Sequence, residues 1–250
     1  MGAARAGPSG LSIAITRMPE KEQKIVHVRL RDWETAMGTQ FEIPRPGGEG
    51  RPMRLSMPAN PDIPIYLASM SPKLLELTGE VADGWLGTSF VPEGSAAYFS
   101  HLDAGLAKAA RTRAGLDVCQ GAEVAFANDE DAVRAMVAGR KKELAFSLGG
   151  MGSAGTNFYN NAYSRQGWAD VAAAVRERWQ VGDRDGAASL VTDEMVLGTT
   201  LIGTEDMVRA RLGVWRNAGV DTVRLYPAGD TLDARLTTLG RALELVREVG

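Results

Sequence analysis

The chain has 250 residues, with 28 lysines and arginines against 31 aspartates and glutamates, a formal charge of −3, and 44% apolar, 24% charged and 6% aromatic residues. This balance excludes a disordered tail, a collagen-like repeat and a polybasic nucleic-acid binder, and a chain of this length buries roughly three-quarters of its unfolded surface, so its core needs no staples. Cys119 is the sole cysteine, which removes intrachain disulfides and cysteine-rich zinc sites, and with neither a run of ~18 apolar residues nor an apolar leader after Met1 we expect no membrane partner and a cytoplasmic location.

The first ten residues are small and rich in Gly and Pro and read as a lead-in. Leu11 to Ile15 is a weak strand candidate. Glu20 to Glu34 can form a helix with a thin apolar face through Ile25 and Val28. From Ile43 to Pro64 the prolines remove amide donors and restrict the residues before them, so this stretch reads as an extended connector. The expected division is therefore 1–62, a helix and Pro/Gly-rich connector, and 63–250, an α/β unit.

From Ile63 strand-like runs alternate with amphipathic helices. Ile63 to Ala68 is an apolar strand, and Pro72 to Ala82 is a helix with Leu74, Leu77 and Val81 at helical spacing, Ser71 placed to cap it and Pro72 at its first position. Gly84 to Thr88 is a second strand, with Gly84 allowing a tight turn into it, and Ala96 to Ala114 a second helix. Gly121 to Ala127 is a third strand and Asp129 to Leu148 a third helix. Between about 151 and 201 no good strand is visible, and helices at Ala169–Trp179 and Asp185–Val196 follow a Gly/Asn/Tyr-rich loop, so this is read as a helical insertion. Thr204 caps the next helix, which runs to Ala218 with Glu205 and Asp206 in its first turn and Gly219 ending it. Val220 to Tyr226 is the fourth strand. In the last helix Leu232, Leu236, Leu239, Leu243 and Val246 make one stripe at steps of four and three, expected to face the core.

Strands separated by helices imply parallel pairing, so the class is α/β, either a doubly wound open sheet or a (β/α)8 barrel. Four convincing strands cannot close a barrel, which leaves a small open sheet or the C-terminal part of a larger barrel.

The strongest site signal is Ala68-Ser-Met-Ser-Pro-Lys73, between the first strand and its helix. Ligands bind at this edge of parallel sheets, where first-turn amides lack internal partners and the helix dipole is positive. Ser69, Ser71 and Lys73 are placed to assist a phosphate there; alternatively Ser71 only caps and Lys73 is solvated. Thr88 and Ser89 follow the second strand on the same rim, as ligand contacts or as a loop cap. His27 and His101 lack companions at metal spacing, and no nucleophile elbow or Walker motif occurs. Asn157-Phe-Tyr-Asn-Asn-Ala-Tyr163 either covers a planar cofactor or anchors the insertion through Phe158 and Tyr159. Arg224 is either paired in the interior or reads an anion.

Ile63-Pro-Ile-Tyr-Leu-Ala-Ser-Met-Ser-Pro-Lys-Leu-Leu-Glu-Leu-Thr-Gly-Glu-Val-Ala-Asp-Gly-Trp85 resembles a block of the luciferase-like monooxygenase superfamily, especially its coenzyme F420-dependent oxidoreductases. The stretches Asn157 to Gly167, Leu201 to Leu212 and Ala218 to Pro227 are similar to the same group. The resemblance implies an incomplete (β/α)8 barrel of the TIM type, a C-terminal half-barrel with a helical insertion. It implies hydride transfer between reduced F420 and a small organic substrate, or FMN chemistry in the monooxygenase branch. It carries the cofactor's phosphate contact onto Ala68, Ser69, Met70 and Ser71, with Lys73 adjacent, and substrate contacts onto Thr88 and Ser89. Ser71 stands where the family usually has glycine. Nothing matches the family's first four strands, which hold much of the ring pocket and the usual proton donor, so the catalytic residues are expected outside this chain. Unpaired strand edges would then favour a homo-oligomer. A non-catalytic remnant of the fold is the competing reading.

Overall fold

The computed structural model describes residues 63–153 and 155–249, and before them the backbone of four short strands. By contact the chain forms two compact units, Met1–Ile65 and Tyr66–Gly250.

In the first unit β1 (Ser12–Arg17) pairs antiparallel with β2 (Lys24–Arg29), Ser12 opposite Arg29, and β3 (Ala36–Met37) pairs antiparallel with β4 (Glu42–Ile43). The helix expected over Glu20 to Glu34 is therefore replaced by a strand at its centre. That centre reads Lys-Ile-Val-His-Val-Arg. Its three β-branched residues lose side-chain freedom in a helix and favour a pleated strand once a partner strand is present. The expected lead-in before Leu11 and most of the proline-rich connector lie outside the described residues.

The second unit is built on a five-stranded sheet: β5 (Tyr66–Ala68), β6 (Gly84–Gly87), β7 (Asp117–Phe126), β8 (Leu201–Gly203) and β9 (Thr222–Pro227), every pair of it parallel. β7 is the spine. Val124 pairs with both Leu201 of β8 and Pro227 of β9, and Gln120 with both Gly87 of β6 and Val223 of β9, so β6 and β8 share one side of β7 and β9 takes the other. The helices α1 (Pro72–Val81), α2 (Ala96–Lys108), α3 (Glu130–Gly150), α8 (Glu205–Asn217) and α9 (Leu232–Val249) intervene or follow. Parallel strands with helical crossovers place the chain in the α/β class, as an incomplete barrel of the (β/α)8 type. β7 begins four residues before its expected start, and β8, too short for a periodic pattern to mark, was not foreseen.

Alternation along the strands sorts the two faces of the sheet. Trp85, Val118, Ala122 and Val124 point into a core shared with Tyr98, Phe99, Leu102 and Leu106 of α2, Val208, Leu212 and Trp215 of α8, and Ala242 and Leu245 of α9. Its centre is aromatic: the Trp85 ring lies 5.1 Å from Tyr98 and 6.1 Å from Phe90, and Phe90 lies 6.0 Å from Trp215. Edge-on and tilted rings at these separations add to the burial of roughly 150–250 Å² each. α1 and α2 cross closely because Gly79 and Gly105 lack side chains: a Cβ on Gly79 would stand 2.1 Å from the Leu102 carbonyl oxygen, and one on Gly105 1.8 Å from that of Glu76. Gly84 opens β6 as expected, and a Cβ there would strike the Tyr66 ring at 2.1 Å.

The leucine stripe of α9 departs from expectation. Leu232 is 71% exposed, Leu236 55% and Leu243 42%, while the buried positions are Ala242 and Leu245. The stripe marks an apolar face, but no described element covers it.

A second core belongs to the helical insertion, in which α3 meets α4 (Phe158–Tyr163), α5 (Ala169–Gln180), α6 (Arg184–Leu190) and α7 (Asp193–Thr199) around Val137, Leu148, Tyr163, Val175, Val191 and Met195. Side-chain caps at Asp129, Asn157, Asp183, Thr192 and Thr204 each accept an amide three residues on. The anchoring assigned to Phe158 and Tyr159 falls to asparagines: buried Asn157 donates to the Ser147 and Leu148 carbonyls, and Asn160 to those of Leu148 and Ala172. Phe158 itself is exposed. Orphan carbonyls ending α3 need donors, which an amide side chain supplies and a phenyl ring cannot.

Candidate functional site at the carboxyl ends of β5 and β6

The segment Ala68 to Lys73 joins β5 to α1 at the carboxyl edge of the sheet. Proline at the first helical position fixes φ for the helix and has no amide to satisfy. Ser71 holds the extended backbone of an N-cap residue, φ −83° and ψ 149°, and its carbonyl accepts the Leu75 amide at 2.9 Å. Its hydroxyl does not cap. Ser71 Oγ is buried without a partner, a correction to the capping role expected from sequence. The amides of Lys73 and Leu74 likewise meet no backbone acceptor among the described residues.

Ser69 is committed inward. Thr78 gives its hydroxyl proton to the Leu74 carbonyl at 2.7 Å, so at the 2.8 Å contact between the two hydroxyls Ser69 is the donor. The Ser69 carbonyl accepts the Trp85 indole N–H at 2.9 Å. The hydroxyl of this residue, expected to assist a phosphate, and its carbonyl thus fix the loop to the core. The Met70 carbonyl accepts Arg165 Nη2 at 2.5 Å, Ala68 is exposed, and Lys73 extends into solvent.

The neighbouring rim follows β6. Thr88 is exposed, and Ser89 sits at φ 53°, uncommon for a residue with a Cβ. The strain is held by three groups around it. Tyr98 donates to the Ser89 carbonyl at 3.1 Å, Gln166 Nε2 donates to the same oxygen at 2.7 Å, and Gln166 Oε1 accepts the Val91 amide at 2.7 Å. Burial pushes the Tyr98 phenol up, and does the same to Tyr163, to about 12, so both stay protonated hydrogen-bond donors at neutral pH.

On the face away from the helices, Tyr66 donates to Asp117 Oδ2 at 2.5 Å and Thr222 to the same oxygen at 3.2 Å. That hydrogen bond to Asp117 is the largest cause raising the Tyr66 phenol to about 12. Arg224 Nη2 donates to the Gly87 carbonyl at 3.4 Å and has no carboxylate partner among the described residues. A recess lined by Glu123, Arg140, Glu143, Ser147, Val196 and Thr199 contains none of the residues of the 68–73 segment. Among the described residues no group of His, Cys, Asp and Glu could hold a metal ion, and no helix is long and apolar enough to cross a membrane.

The structure brings together Ser71, Lys73 and the first-turn amides of α1, turns Ser69 away, and adds Arg165 and Gln166, which the sequence reading had not singled out. The one local signal for these two is Gly167, at φ 100°, where the helix path breaks just after them.

A parallel α/β sheet with helical crossovers defines a barrel-type protein. The chain belongs to the luciferase-like monooxygenase family, whose profile matches residues 28–222. It is 34% identical over 208 residues to a Mycobacterium tuberculosis protein named, provisionally, as a coenzyme F420-dependent oxidoreductase, a match covering 80% of this chain and 59% of that one. It is 32% identical over 161 residues to the 5,10-methylenetetrahydromethanopterin reductase of Archaeoglobus fulgidus, covering 64% of this chain and 47% of that one. Among solved structures, the coenzyme F420-dependent tetrahydromethanopterin reductase of Methanopyrus kandleri superposes with a TM-score of 0.51 at 25% identity, covering 74% of this chain and 49% of that one. The chain thus spans about half the length of the relatives it matches.

Proposed function

We propose that this protein is an F420-dependent oxidoreductase of the luciferase-like family, or the C-terminal portion of one, which transfers a hydride between the deazaflavin and a small organic substrate. The observation that carries the reading is the pair of amides of Lys73 and Leu74 at the start of α1, without a backbone acceptor among the described residues, beside the partnerless Ser71 hydroxyl and the Lys73 ammonium. Oriented N–H groups at the positive end of a helix favour a phosphate without needing to reorganise. The Cβ of Ser71, where the family usually has glycine, is compatible with that role because it carries a donor hydroxyl. The names of the relatives support F420 over FMN.

When bound, F420 supplies the two-electron hydride carrier. The residues of this chain bind and orient it. Ser71, Lys73 and the amides take the phosphate, Ala68, Ser69 and Met70 form the loop that presents them, and Thr88 and Ser89 face the substrate from the next rim. No described residue is assigned the proton transfer, in keeping with a chain that spans about half of its relatives. The same reading takes residues 1–62 and 63–250 as separate regions, puts the protein in the cytoplasm, and expects a homo-oligomer that covers unpaired strand edges.

Fluorescence titration of the purified chain with F420 is expected to saturate, and Lys73→Ala to weaken binding about threefold to tenfold. Failure of the wild-type chain to bind F420 would leave a non-catalytic member of the fold, and flavin absorbance in the purified protein would point to FMN.

A further inference from the structure

Arg165 and Gln166 lie in Ser164–Trp168, a widened turn of π-helical type between α4 and α5. Such turns are rare and frequent at functional sites, since the extra residue redirects side chains that a regular helix would send elsewhere. Here two consecutive side chains reach different loops. Gln166 satisfies the Val91 amide and the Ser89 carbonyl after β6, and Arg165 reaches the Met70 carbonyl after β5. The helical insertion is therefore fastened to both rims of the candidate site through adjacent residues.

For Arg165 the fastening leaves most of its chemistry unused. A guanidinium has five N–H donors, and the bond to Met70 takes one. Its Nε is buried without a partner. Arg113 and Arg211, by contrast, each meet a carboxylate, Asp103 and Glu93, whereas among the described residues Arg165 has no carboxylate partner. One residue beyond the carbonyl that Arg165 holds, the Ser71 hydroxyl is also buried without a partner, and two and three residues further on come the open amides of Lys73 and Leu74. Several donors with no acceptor, one of them permanently charged, surround one short segment. A phosphate group offers acceptor oxygens in the geometry a guanidinium fork matches.

We propose that Arg165 supplies the principal charged contact to the phosphate held at residues 68–73, assisted by the Ser71 hydroxyl, so that the helical insertion forms one wall of the cofactor site. This rests on reading that segment as a ligand site, as argued above. The bond to Met70 sets the height of the guanidinium over the loop, and Gln166, locked on the opposite rim, fixes the turn from which Arg165 projects. A phosphate bound there is gripped from two sides, by the start of α1 and by the insertion, and its affinity depends on a residue more than 90 positions away from the loop in sequence.

The test uses the full chain with two probes, inorganic phosphate followed by calorimetry and F420 followed by its own fluorescence. Arg165→Gln keeps an N–H donor for the Met70 carbonyl and removes the charge, so it separates a charged contact from a mere tether. It is expected to weaken phosphate and F420 about tenfold or more with an unchanged melting temperature. Arg165→Lys is expected to recover part of the loss, and Ser71→Ala to cost a smaller factor. Unchanged phosphate affinity in Arg165→Gln overturns the proposal, as does a loss no larger than that caused by Arg176→Ala elsewhere in the insertion. If phosphate binds through Arg165 but F420 does not bind at all, the cofactor reading fails and the arginine site stands. If F420 binds equally to wild type and Arg165→Gln, the arginine assignment fails and the cofactor reading stands. Wild-type protein that binds neither probe overturns both.

Discussion

Trp85 donates its indole N–H to the Ser69 carbonyl at 2.9 Å from a fully buried ring, joining the aromatic centre of the core to the second residue of the candidate phosphate loop. The loop's position is thereby set by the core. Ser69 is itself buried, and its hydroxyl is bonded to Thr78 inside α1, so the segment cannot shift at this point without breaking two internal bonds.

Trp85→Phe keeps most of the apolar contact and removes the donor, leaving the Ser69 carbonyl buried without a partner. The expected cost is about 1–3 kcal/mol, read from urea denaturation midpoints, and F420 affinity should fall because the loop loses its tie. A change below about 0.5 kcal/mol would mean that the bond is not formed in solution.

The α1–α2 crossing predicts opposite outcomes for the same substitution at different glycines. Gly105→Ala places a methyl group 1.8 Å from the Glu76 carbonyl oxygen, and backbone cannot swing aside as a long side chain can. The gain in helix propensity, up to about 1 kcal/mol, is outweighed by overpacking, so a net loss of about 1–3 kcal/mol is expected. Gly139 in α3 meets nothing within 4 Å, and Gly139→Ala should stabilise by up to about 1 kcal/mol. Thermal melts of the two variants side by side test the argument, and equal effects would refute the close crossing.

Glu123 gives a pH prediction with an unusual sign for an acid. Burial pushes its carboxyl above the ordinary range, with the Arg140 ion pair only partly opposing. Between the unfolded value, about 4.3, and the raised native one, the native state binds more protons than the unfolded chain. Stability from this group therefore declines as pH rises through that window. The difference in urea midpoint between wild type and Glu123→Gln, followed from about pH 4 to 7, should shift steadily in favour of the variant. Asp103 and Glu93, lowered by Arg113 and Arg211, act in the opposite sense at lower pH and cancel in the difference.

Much of the second unit was legible because its signals are local. Proline at the first position of α1, Thr204 capping α8, and Gly219 ending it at φ 91° each act within a turn of chain, and the structure keeps all three. The misreadings share a different cause. The Lys24–Arg29 segment has apolar residues compatible with either period, and a pairing strand decided between them. The stripe of α9 reports that a face is apolar, not whether another element reaches it. Ser69 and Ser71 look alike in sequence, two hydroxyls two residues apart, yet one is spent on Thr78 and the other has no partner.

By itself the sequence determined the alternation of strand and helix, the proline-led start of α1 and the resemblance that names the family, since periodicity, helix-start residues and motif are properties of residues near one another in the chain. Tertiary structure alone decided which polar groups remain for a ligand. Trp85 takes the Ser69 carbonyl across 16 residues and Arg165 the Met70 carbonyl across 95. A donor's freedom depends on which distant acceptor the folded chain brings within about 3 Å of it, and no local pattern records that distance.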